Sequence, residues 1–145
     1  TLLDEAILAL EAAQKALSTL KKSDMDEVKA MKKPPGGVRL TLEAVCVLMH
    51  VKPQKIKDPK GGHKKIDDYW GPAVKHLLND TKFLKKLQKY KKDEIKDTMT
   101  AKVTPYTLMP EFQPERIAKA SKAAAGLCKW VHAMMKYTKV TTLLK

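Results

Sequence analysis

The sequence predicts an all-α fold, a head of short helices carried on an antiparallel pair of longer ones, and three observations lead to it. The first and last segments each carry one narrow apolar stripe at helical spacing. Between them lie short periodic runs cut by Pro-Pro and Gly-Gly pairs. One stretch, residues 38–51, is apolar on nearly every side, as the central helix of a small bundle is. With 145 residues, 43% of them hydrophobic, the chain fits one compact domain with a real core.

Residues 1–22 place Leu3, Ile7, Leu10, Leu17 and Leu20 at spacings of three, four and seven, with no Gly or Pro among them. Residues 123–145 repeat the pattern through Ala123, Leu127, Trp130, Val131, Met134, Tyr137, Thr141 and Leu144, with Gly126 as the point where that helix would break. A narrow stripe needs a partner stripe, and these two suit each other as an antiparallel pair whose free ends leave the head together. The first seam can be read through Ile7, Leu10, Gln14 and Leu17, or through Leu10, Ala13, Leu17 and Leu20. Two pairings with the Leu127, Val131 and Met134 seam therefore lie close in energy.

Residues 23–122 form the head. Ser23 to Glu27 supplies N-cap candidates and first-turn acids for a short helix to about Lys32, which Pro34-Pro35-Gly36-Gly37 stops. For residues 38–51 a buried strand is the alternative, and length favours the helix. Residues 52–66 hold two prolines, a Gly-Gly pair and six lysines, Lys52, Lys55, Lys57, Lys60, Lys64 and Lys65. This composition predicts an exposed loop or a short hairpin turning at Gly61-Gly62. Further helices are predicted at 70–79, 80–90 and 92–99, the second opened by the Asn79-Asp80-Thr81 cap signal. Residues 101–113, with Pro105 and Pro110, read as an extended linker, and Pro114 suits the first position of a helix through about Lys122.

The balance of 29 Lys+Arg against 16 Asp+Glu gives a net charge of +13, which calls for a polyanionic partner: nucleic acid, an anionic membrane or an acidic protein surface. Arg39 and Arg116 are the only arginines, so bidentate readers of bases and phosphates are nearly absent. No stretch approaches the roughly 20 apolar residues of a membrane span, and no charged n-region followed by an apolar h-region opens the sequence, so targeting signals are expected elsewhere. The chain starts inside a helical pattern without Met and stops as abruptly, which reads as a piece of a longer protein. Cys46 and Cys128 sit in apolar patterns without a CxxC or a His companion and read as buried free thiols. His50, His63, His76 and His132 are scattered with no pair at i, i+4, and neither Gly-rich stretch matches a phosphate loop. Neither a catalytic constellation, a metal site nor a cofactor is expected.

The cations are unevenly placed. Lys21, Lys22, Lys29, Lys32 and Lys33 surround the turn out of the first helix, Lys75 and Lys82 fall on the third helical segment, and Arg116, Lys119 and Lys122 are spaced one turn apart after Pro114. Antiparallel pairing puts residues 21–33 and 115–122 at one end, where their charges add. The run Lys85, Lys86, Lys89, Lys91 and Lys92 reads instead as a solvated face. A small helical nucleic-acid-binding domain would also explain the charge, but it leaves both terminal seams without a purpose and lacks stacking aromatics among the basic groups.

Four stretches carry a family resemblance: Glu27 to Pro35; Val38 to Leu48; Trp70 with Phe83 and Leu87; and Phe112 through Trp130, containing Ala120-Ser121-Lys122-Ala123 and Gly126-Leu127-Cys128-Lys129-Trp130-Val131. On these the chain resembles the dynein heavy chain stalk tip over essentially its full length. The resemblance implies a non-catalytic six-helix head at 23–122, between an outgoing coiled-coil strand at 1–22 and a returning one at 123–145, with the ATPase ring elsewhere in the heavy chain. It implies that the first, third and sixth head helices meet the groove between α- and β-tubulin. Lys21, Lys22, Lys29, Lys75 and Lys119 match the family's basic positions, Arg116 and Lys122 join them by spacing, and Glu27 and Glu115 match acidic positions that moderate binding. The basic insertion at 52–66 looks like the flap of axonemal types. Tubulin and the rest of the heavy chain are the implied partners, with no nucleic acid and no membrane, and coiled-coil register is the implied control of affinity.

Overall fold

A computed structural model describes residues 1–58 and 60–144. Two long helices, α1 (Leu2–Ser18) and α8 (Lys122–Leu143), run antiparallel, and six short helices lie between them in the chain, four of them packed on α8. These six are α2 (Lys22–Lys29), α3 (Gly36–Leu48), α4 (Trp70–Ala73), α5 (Phe83–Gln88), α6 (Asp97–Thr107) and α7 (Pro114–Ile117). A two-stranded antiparallel hairpin, β1 (Gln54–Lys57) with β2 (Lys65–Asp68), stands between α3 and α4.

Of the two seams, α1 uses the one through Leu10, Ala13 and Leu17, which are buried together with Ala6, while Ile7 is 37% exposed. The helix stops at Ser18 rather than at 22. The Ser18 and Thr19 hydroxyls donate back to the carbonyls of Lys15 (2.6 Å) and Ala16 (2.7 Å), an alternative to the helical ladder that lets the chain turn into α2. The break expected at Gly126 does not occur. A Cβ there would lie 3.6 Å from Leu20 Cδ1 and 3.9 Å from Leu17 Cδ2, so packing against α1 holds α8 straight across a residue of low helix propensity.

The central helix α3 begins two residues earlier than predicted, at Gly36. Gly37 is required where it stands, because a Cβ would sit 2.8 Å from the Glu111 carbonyl oxygen and 3.0 Å from Ile117 Cγ1. Leu42, Val45 and Leu48 of α3 are buried with Trp130, Leu127 and Met134 of α8. Tyr90 closes this core: its hydroxyl donates to the Leu48 carbonyl (2.6 Å) and its ring meets Trp130 edge-on, 5.4 Å between centroids.

Three predictions in the second half of the head are corrected. The helix placed at 92–99 is a single 3-10 turn at Lys92–Glu94 followed by the start of α6, and the linker placed at 101–113 is mostly that helix. Pro105 is tolerated near its end. The fully buried Val103 anchors α6 against the core, and Thr104 and Thr107 donate to the carbonyls of Thr100 (2.7 Å) and Thr104 (2.6 Å). The helix at 70–79 is present as α4 continued by π-helical turns over Val74–Leu78, where the Asn79 N–H reaches the Val74 carbonyl at 3.0 Å. The helix predicted from Pro114 through about Lys122 ends at Ile117, and Ser121, whose hydroxyl accepts from the Ala124 N–H (3.1 Å), starts α8 afresh.

Cys46 and Cys128 are free and buried, and burial pushes both thiols up to about 12, so neither is a nucleophile near neutral pH.

Candidate functional site

Two grooves show how the fold gathers its cations. One is lined by Thr19, Leu20, Glu115, Ala118, Lys122 and Gly126, which brings the end of α1, the helix α7 and the first turn of α8 to one place. The other, about 230 Å³, lies between α2 and the segment after the π turns and is lined by Lys22, Lys29, Leu78, Asp80 and Phe83 among others. Both α2 and α7 pack on α8, and α2 also packs on the π turns.

Each short helix spends its apolar residues inward and leaves its cations out. In α2, Met25 and Val28 are buried, while Lys21 and Lys22 are exposed at its start. Its N-terminus is closed from the third position rather than by Ser23 or Asp24 as caps: the Asp24 carboxylate accepts from the Lys21 N–H (2.9 Å). Lys29 is half-buried and paired with Asp26 at 3.3 Å, so it is the most constrained cation of the set. Lys75 is exposed on the π turns, whose Leu77 and Leu78 are buried. In α7, Pro114 takes the first position, Ile117 is buried, and Glu115 and Arg116 are exposed. Lys119 stands in the turn after α7 and Lys122 opens α8, both exposed, so these three cations are not on one continuous helix. Glu27 is exposed on α2. Among the described residues, Lys22, Lys75, Arg116, Lys119 and Lys122 have no carboxylate within ion-pairing distance.

The hairpin carries the second basic group. Lys52, Lys55, Lys57, Lys60, Lys64 and Lys65 are all exposed, and Gly61 and Gly62 take positive φ (82° and 135°) where the chain reverses. Lys55 is paired with Asp67 across the ladder, whereas Lys57 stands opposite Lys65. What the sequence reading missed is the base of this hairpin, where the Asp68 carboxylate accepts from the Gln54 amide and from the first N–H groups of α4. The signal available was an acid two residues before the helix-opening Trp70-Gly71.

Among the described residues no group of three or more His, Cys, Asp or Glu could hold a metal ion, and no helix is long and apolar enough to cross a membrane. A surface of separated cations on short helices carries a positive potential that an acidic surface complements.

The family model described as the microtubule-binding stalk of dynein motor matches residues 1–143. The chain belongs to that dynein stalk family. Among curated relatives it is 45% identical over 143 residues to mouse dynein axonemal heavy chain 3, covering 98% of this chain and 4% of that protein. It is 47% identical over 122 residues to mouse dynein axonemal heavy chain 1, covering 84% of this chain and 3% of that one. A solved structure, the microtubule binding domain of dynein-c, superposes with a TM-score of 0.81 at 49% identity, over 97% of this chain and 89% of its own. The chain is thus a dynein microtubule-binding domain and not a catalytic one, and it spans a few per cent of the length of the heavy chains it matches.

Proposed function

We propose that this dynein domain grips the acidic groove between α- and β-tubulin through Lys21, Lys22, Lys29, Lys75, Arg116, Lys119 and Lys122, with Glu27 and Glu115 moderating the attraction. The observation that carries this is the convergence of the α1 end, α7 and the α8 start on one groove, with exposed cations around it. Many screened Lys contacts make affinity fall steeply as salt rises through the physiological range, and a shallow dependence in microtubule cosedimentation would count against the reading. The flap lysines, Lys52, Lys55, Lys57, Lys60, Lys64 and Lys65, add a second contact to tubulin. In favour of this, Lys57 and Lys65 stand opposite each other, a repulsive arrangement that an acidic partner relieves. The heavy chain is an ATP-driven motor of the axoneme in cilia or flagella, a reading drawn from the axonemal relatives.

Affinity is set by the register of α1 against α8. Small residues at the seam, Ala6 and Ala13, lower the cost of sliding. A shift of up to one turn, about 5.4 Å, carries Lys21, Lys22 and Lys29 with it. Disulfides placed across α1 and α8 in each of the two seam registers test this. Cross-linked forms of different microtubule affinity are expected; equal affinities would reduce the stalk to a tether.

A further inference from the structure

A pair of four-residue strands does not hold its own direction in water. Here the ladder offers little help: Ile56 faces Ile66, which is 39% exposed, and the lysine pair Lys57 and Lys65 is repulsive. The direction comes from the base. Gln54 and Asp68 are partners in register, and the Gln54 amide donates to Asp68 Oδ2 (2.9 Å). The same carboxylate accepts the Trp70 N–H at Oδ1 (3.3 Å) and the Gly71 N–H at Oδ2 (3.1 Å). One side chain therefore ties both strands to the first turn of α4. Gly71 leaves the space for it, since a Cβ there would collide with the Gln54 amide.

Alternation then fixes what faces out. Gln54, Ile56, Ile66 and Asp68 share one face of the hairpin, and Lys55, Lys57, Lys65 and Asp67 share the other. Fastening the first face to α4 turns the lysine face away from it. The π turns that continue α4 carry Lys75, so the hairpin and that cation are referred to one element.

We infer that Asp68 is a positioning residue for microtubule binding, a latch that sets which way the basic hairpin faces, so that an acidic side chain raises affinity for an acidic surface. A latched arm arrives with its lysines already aimed and loses less freedom on binding than a tethered one. Burial pushes the Asp68 carboxyl up, but the bonds from Gln54, Gly71 and Trp70 and the charge of Arg39 outweigh this and hold it below the usual range, so it is ionised at neutral pH.

The inference rests on the flap reading above, and the two can fail separately. Microtubule cosedimentation would compare the 145-residue chain with Asp68→Ala, with Gln54→Ala, and with residues 52–66 replaced by a Gly-Ser link. Removing a negative charge alone would tighten binding to tubulin. The latch instead makes Asp68→Ala weaker by about threefold and the charge-neutral Gln54→Ala weaker by about twofold, with Asp68→Ala silent once the flap is gone. Hydrogen exchange supplies the readout that a general loss of structure would not give: faster exchange over 54–68 with α8 protection unchanged. If Asp68→Ala loses α8 protection as well, Gln54→Ala decides alone. Flap replacement without loss of affinity overturns the flap reading and the latch with it. Flap replacement that weakens binding while Asp68→Ala tightens it or leaves it unchanged overturns the latch only.

Discussion

Trp130 of α8 has no exposed surface and lies against α3 and the Tyr90 ring, whereas the β1–β2 hairpin leaves its lysines in solvent and is fastened at its base by one carboxylate. The first region is fixed by many weak contacts that no single polar group controls. The second is fixed by a few directional bonds and buries almost nothing. On the proposed reading stability and affinity are carried by different parts of the domain, and substitutions should separate them.

The largest effect belongs to the core. Trp130→Ala should cost about 3 to 5 kcal/mol of folding stability in urea or thermal unfolding. A cost under about 1 kcal/mol would mean that the head does not depend on α8 as its packing indicates. Next come the cations. Lys119→Glu and Lys29→Glu should each weaken microtubule binding by about 1 to 3 kcal/mol, and Lys89→Glu by under about 0.5, with unfolding little changed. Equal effects at the three positions would dissolve the distinction between a binding face and a solvated one. Lys29→Glu should exceed Lys119→Glu, because it also leaves the exposed Asp26 carboxylate without its partner, so that more negative charge meets the acidic surface.

Smaller still is the effect of the hairpin on stability. Replacing residues 52–66 by a Gly-Ser link should change unfolding free energy by no more than about 0.5 kcal/mol, and a loss of several times that would show the hairpin to be part of the core after all. The smallest effect is in pH. Asp68 has a folded pKa below its unfolded value, so the stability its latch contributes is fully present above the ordinary Asp range, about 3.9, and is lost as pH falls through the lowered folded value. The Gly71 amide resonance should be constant from neutral pH down to about 5 and move only on further acidification. A midpoint near neutrality would remove the carboxylate from the latch.

How much of this was legible in the sequence depended on how local the determinant is. The apolar stripes of α1 and α8, the all-round apolar α3, the Pro114 start and the Gly61-Gly62 reversal are periodicities or conformational preferences of neighbouring residues. So is the clustering of cations around 21–33 and 115–122, once two antiparallel stripes imply that both groups share an end. The sequence by itself therefore determined a helical head on a helix pair, a basic insertion and the end that those two basic groups share.

Tertiary structure decided what near-equal local choices left open. It selected the seam through Ala13 over the one through Ile7, since both stripes exist on α1 and only packing against α8 chooses between them. It made a helix of Asp97–Thr107 despite Pro105, because the burial of Val103 depends on side chains brought from distant parts of the chain. It carried α8 through Gly126 because Leu17 and Leu20, more than a hundred residues earlier, lie against it. And it gave Asp68 its role. A carboxylate bonded at once to a strand partner fourteen residues away and to the helix that follows has no periodicity to read, because its partners meet only after the hairpin has closed.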